Sequence, residues 1–170
     1  YLIGAFTELN NKKHDGFSTA PVKGNIVILE YYEPKSVQYL GMFTIEGIGH
    51  TYKNIDNPYD ATDDFGNAEN CEININCSEG NNWQDEKRGV ARILVKAGNQ
   101  FGWCSGSLIN TTAQDCSPYF LTAFHCGEGA STADFNQWIF YFNFEATGCT
   151  SPNFAPTSNS ITGSSVISSS

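Results

Sequence analysis

Apolar residues enter this chain in short bursts. "NIVILEYYEP" (25–34) and "GMFTIEGIGHTY" (41–52) cluster β-branched and aromatic side chains on either side of a polar gap. Runs of that length, bounded by Gly and Pro, predict two or three strands in the first region. Residues 54–70, "NIDNPYDATDDFGNAEN", show no apolar period and predict an exposed acidic linker. Its aspartates do not fall at the spacing of a calcium loop. Beyond it, "VARILVKA", "GWCSGSLIN", "PYFLTAFHC" and "QWIFYFNFEA" alternate with Gly, Asn and Pro, and predict the strands of a barrel or sandwich. The one segment with helical possibilities, "SEGNNWQDEKRG", offers Trp83 and little else for packing. The pattern therefore predicts an all-β chain in two parts. Its Ser-rich tail, "PNFAPTSNSITGSSVISSS", is expected to end mid-domain.

Charge narrows the partners. Nine basic residues against eighteen acidic ones give a net charge of -9, so there is no basic stripe to neutralise nucleic-acid phosphates or anionic lipid. No apolar run approaches the roughly 20 residues of a membrane span. The opening "YLIGAFTELNNKK" lacks the order of a secretion signal, which predicts either that processing removed one or that the chain begins downstream of it.

The six cysteines, Cys71, Cys77, Cys104, Cys116, Cys126 and Cys149, all fall after the first 70 residues, which separates the two parts again. An even count in an acidic, Lys-poor chain favours disulfides in an oxidising, extracellular setting. Zinc is the competing use, but there is no Cys-x-x-Cys pair, and His14 and His50 lie in the cysteine-free part. No metal and no cofactor is expected. That leaves His125, set against Cys126 at the end of "YFLTAF". A lone histidine there reads first as a hydrogen-bonded structural residue.

Its neighbours change that reading. "WCSGSLIN" followed by "LTAFHC" resembles the segment around the catalytic histidine of trypsin-like (chymotrypsin-fold) serine peptidases. There a Cys-x-Gly-Ser-Leu strand leads to a Thr-Ala-x-His-Cys turn. The closer resemblance is to secreted bacterial lysyl endopeptidase-like enzymes, and it covers most of the chain. "CEININCSEG" is similar to the start of their mature domain, "PYFLTAFHCGEG" to their histidine segment, and "WIFYFNFEATGC" to the strand leading to their next cysteine. "TAPVKGNIVILEYYEP" is similar to their pro-region.

The resemblance implies the first β-barrel of a trypsin-like double barrel at residues 69–170. A β pro-region or flanking module would precede it at 1–68. It implies bridges Cys104–Cys126 and Cys77–Cys149, and pairs Cys71 with a cysteine far downstream that this sequence does not contain. Cys116 departs from the pattern and is left either to bond Cys71 or to stay a thiol. His125 would be the general base of a Ser-His-Asp triad acting on protein or peptide substrates.

The triad's other members are not found. Asp134, in the loop-like "TADFNQ", reads as a surface loop residue rather than the aspartate of an Asp-x-Ala-Leu strand. Gly163-Ser164-Ser165 lacks the Gly-Asp-Ser-Gly-Gly context of the nucleophile, and Ser107 belongs to the structural "CSGSL" strand. The chain thus reads as the N-terminal part of a secreted serine endopeptidase precursor, inactive by itself. Its missing partner would be the C-terminal barrel of the same polypeptide. The competing reading is a secreted, disulfide-bonded β-domain for binding or adhesion without catalysis. Trp103, Trp138, Phe140 and Phe142 read as core or inter-barrel packing rather than a carbohydrate platform. The tripeptides at Asn76 and Asn110 match the glycosylation pattern, which is common by chance.

Overall fold

A strand persists only where a neighbour completes its ladder, and among the described residues ladders form in the second part alone. The computed structural model describes residues 2–10, 16–22, 24–38, 41–50, 69, 71–150 and 159–169. Five strands, β1 (Val90–Ala97), β2 (Gln100–Ile109), β3 (Tyr119–Thr122), β4 (Ile139–Phe142) and β5 (Asn159–Thr162), form one antiparallel sheet in the order β3-β2-β1-β4-β5. Two one-turn helices, α1 (Phe124–Gly127) and α2 (Thr132–Phe135), lie between β3 and β4. The fold is all-β. Among the described residues no ladder joins β3 to β5, so the sheet does not close through hydrogen bonds into a full barrel.

β1 is the centre of this sheet, and its run "VARILVKA" is nearly continuous because both its faces are covered. Alternate residues of a strand face opposite sides. Ala91, Ile93 and Val95 turn to a core shared with Cys126, Trp138 and Phe140, and Ile93 is fully buried. On the other side, Leu94 pairs in register with Trp103 and Ile139, and the Arg92 guanidinium lies 3.6 Å from the centre of the Trp103 ring. The Phe144 ring is 4.8 Å from the same guanidinium. Trp138 and Phe140 are core residues, while Trp103 and Phe142 are half-buried beside it.

Phe120 of β3 reaches this core by crossing β2 where β2 has no side chain. A Cβ on Gly106 would run into the Leu121 carbonyl and the Phe120 ring. With hydrogen there, the ring comes edge-on to Phe140 at 5.0 Å and to Phe142 at 6.3 Å.

The segment 78–89 makes two 3-10 turns, Ser78–Trp83 and Glu86–Gly89, rather than a strand or an α-helix. It is fastened to the end of β4. Cys77 is bonded to Cys149, Lys87 pairs with Glu145 at 2.9 Å and donates to Asn76, and the Asn76 amide donates to the Ala146 carbonyl. Asn76 is thus committed to a half-buried network, whereas Asn110 is exposed.

The first region departs from its expected strands. Among its described residues the only regular element is a 3-10 turn at Glu8–Asn10. Residues 25–34 and 41–50 approach one another, with Tyr31 against Phe43 at 5.5 Å and the Gly41 N–H on Glu33, but they form no ladder. Ile26, Ile28, Tyr32, Met42 and Ile48 stay exposed. Among the described residues of 1–68 no strand forms, although the side-chain preference for one is present. The acidic linker at 54–70 lies almost wholly outside the described residues. The first region meets the sheet where the Thr162 hydroxyl donates to the Ser18 carbonyl.

Candidate active site around His125

β3 delivers the histidine. The strand ends at Thr122, whose hydroxyl donates to the Ser105 carbonyl of β2 at 2.7 Å. Ala123 is still extended, at φ -72° and ψ 147°, and its carbonyl accepts from the Cys126 N–H to open α1. One turn later Glu128 returns to extended geometry, and Gly129 at φ 76° turns the chain away. So short a turn makes one decision: Cys126 points inward and is buried, while His125 points outward and is exposed.

Cys126 is bonded to Cys104 of β2, which faces Ile93 across the ladder. The donor atoms of Cys104, His125 and Cys126 lie within 4.8 Å of one another. Both sulfurs are committed to the bridge, and a bridged sulfur has no thiolate to offer a metal or a carbonyl. Cys71 and Cys116 are exposed free thiols, so the structure joins Cys116 to neither Cys71 nor any other cysteine.

The imidazole stands at the rim of an open depression of about 420 Å³ lined by Trp103, Cys104, Ser105, Ala123, His125 and Cys126. Sharing Ser105 and Ala123, a shallower apolar groove continues past it over Val90, Leu121 and Thr122. Val90 and Leu121 of its lining expose half or more of their surface, as does Phe124, which follows Ala123 in the chain.

Among the described residues the imidazole has no hydrogen-bond partner. The acid nearest in the expected sense, Asp134, is turned away, and here the surface-loop reading is corrected. Asp134 is buried at 5% exposure as the third residue of α2. It closes a capping box with Ser131, pairs with Lys96 and accepts the Gly98 N–H at 3.1 Å. The Lys96 ammonium foremost, then the Ser131 N–H, holds its carboxyl far below the usual aspartate range against the opposing effect of burial. The spacing Ser131-x-x-Asp134 was the signal for this cap, since a residue three after a capping serine can return the bond. Ser107 lies in β2, and the Ser164 hydroxyl donates to the Phe135 carbonyl at 3.1 Å.

An exposed imidazole on a cross-linked turn, beside an open groove, is an arrangement suited to accepting a proton from a group brought to it. Comparison with known protein families matches residues 65–170 to the lysyl endopeptidase C-terminal domain. The chain belongs to this family. As a lysyl endopeptidase-like protein it is peptidase-related, and the matched segment contains every strand of the sheet, both disulfides and His125. Among the described residues of this lysyl endopeptidase-like chain, no helix is long and apolar enough to cross a membrane.

Proposed function

We propose that this chain contributes the general base to a secreted serine endopeptidase of trypsin-like architecture. The observation that carries the reading is His125 itself, exposed at the rim of the groove while its neighbour Cys126 anchors the turn. His125 accepts the proton of a serine hydroxyl as that oxygen attacks a peptide carbonyl, then returns it to the leaving amine. The serine and the oxyanion donors belong to a C-terminal barrel of the same polypeptide, and the carboxylate that orients the imidazole comes from an aspartate strand outside these 170 residues. That barrel packs against Val90, Leu121 and Phe124, which explains why an apolar surface is left open there. Residues 1–68 act as a pro-region removed on maturation, with the mature chain beginning near Glu69. The two disulfides and the acidic, Lys-poor composition suit an extracellular setting.

The test is hydrolysis of a lysine-containing peptide by the complete encoded polypeptide and by its His125→Ala variant. The substitution is expected to lower kcat by at least about 10³-fold. The 170-residue chain alone is expected to be inactive. A His125→Ala polypeptide that keeps its activity would sink the proposal, and a polypeptide inactive in both forms would favour a binding domain.

A further inference from the structure

The turn bearing His125 is held on two sides. On one, the disulfide fixes Cys126 to β2. On the other, Gly127 lies against the Phe135 ring of α2, close enough that a Cβ on Gly127 would stand 3.0 Å from it, and Phe135 in turn packs on Trp138 at 4.6 Å. A ring resting on a backbone conveys position only if the ring's own element is fixed. α2 spans four residues, far too few to be stable as an isolated helix. Its place is set by bonds to the rest of the fold.

Those bonds converge on Asp134. One carboxylate oxygen accepts from Lys96, and the other accepts from the Gly98 N–H at 3.1 Å, the Ser131 N–H at 2.9 Å and the Ser131 hydroxyl at 2.8 Å. An ionised carboxylate is acceptor-only, and four donors leave it little freedom to turn. Beside it the Trp138 indole N–H donates to the Lys96 carbonyl at 3.0 Å, tying the segment that follows α2 to the same stretch of β1.

We propose that Asp134 is a positioning residue for His125: it moors α2 to the turn between β1 and β2, and α2, through Phe135 and Gly127, fixes the side of the histidine turn that the disulfide leaves open. The inference rests on the reading of His125 as a general base, which must meet its hydroxyl within about 3 Å. A bridge through one sulfur restrains where the turn is, but not how it is rotated.

The experiment is NMR on the full chain, following amide hydrogen exchange and the His125 imidazole resonances in Asp134→Asn. Exchange at Phe124, His125, Cys126 and Gly127 is expected to quicken about tenfold as local opening becomes easier, and the imidazole resonances to shift and broaden. Lys87→Met, which removes an ion pair away from α2, is expected to leave those resonances in place. Should Asp134→Asn fail to fold, Lys96→Met removes one of the four donors and is expected to show the same changes in smaller measure. Faster exchange confined to α2, with the histidine turn unchanged, would overturn the inference. So would an equal response to Lys87→Met. None of these readouts requires catalysis, so failure here leaves the peptidase reading standing, and an inactive complete polypeptide leaves the NMR result standing.

Discussion

His125 and Cys126 are adjacent in the chain and opposite in environment: the imidazole is exposed, and the sulfur beside it is buried and bonded to Cys104. Stability and chemistry are thereby assigned to separate residues of one turn. Replacing both Cys104 and Cys126 by Ser should cost about 3 kcal/mol by the loop-entropy account of a 22-residue span. His125→Ala should change stability by less than about 0.5 kcal/mol, as exposed substitutions do. Urea denaturation of both variants measures the contrast, and a large loss from His125→Ala would mean that the imidazole is structural.

Gly106 is a position in the sheet where a single methyl should do harm. Its Cβ would meet both the Leu121 carbonyl and the Phe120 ring, so Gly106→Ala must push β3 off β2 or expel Phe120 from the core. A loss of about 1–3 kcal/mol is expected. Urea melts read the loss, and near-UV circular dichroism should report the displaced aromatic ring.

Lys87 joins the segment before β1 to the end of β4. Lys87→Met keeps the stem but loses the bonds to Glu145 and Asn76. Because both charges retain some contact with water, the expected cost is about 1 kcal/mol rather than that of a fully buried pair. A double-mutant cycle with Glu145→Gln isolates the coupling, and a coupling indistinguishable from zero would reduce the pair to a surface contact.

The Asp134 cluster predicts acid behaviour with a definite sign. An unfolded chain protonates Asp at about pH 3.9, and Lys96 with the Ser131 N–H holds the folded carboxyl well below that. As pH falls, the unfolded state takes up the proton first. The stability the carboxylate contributes is therefore complete above about pH 5 and is lost progressively below about pH 4. The stability gap between the native chain and Asp134→Asn should be constant from about pH 8 to 5 and shrink towards pH 3. A gap that does not change over that range would show that ionisation is not what the cluster uses.

Legibility in the sequence followed burial. β1 occupies the run "VARILVKA" because a strand covered on both faces must be apolar at successive positions, and such a run admits few other readings. β5 lay unread in "NSIT", whose own preference for a strand is weak; it forms because β4 presents an edge to it. The reverse happened in "NIVILEYYEP", where preference was strong and no ladder formed. α2 went unread because four residues carry no helical period, although Ser131 and Asp134 stood at capping distance. At the candidate site, the spacing of "CSGSL" and "TAFHC" pointed to one neighbourhood, and Cys104, His125 and Cys126 do share one. Asp134 could not be placed the same way, because its partners Lys96 and Gly98 are distant in sequence and meet it only through the folded hairpin.

The bridge between Cys77 and Cys149 has a mechanical meaning. It encloses β1 to β4 and the inner bridge within a span of 72 residues, so tension applied at the chain ends bypasses everything inside. Under load only the outer segments pay out, and β5 peels from β4 at the edge. About 250 Å of contour stays locked behind a covalent bond until that bond is reduced.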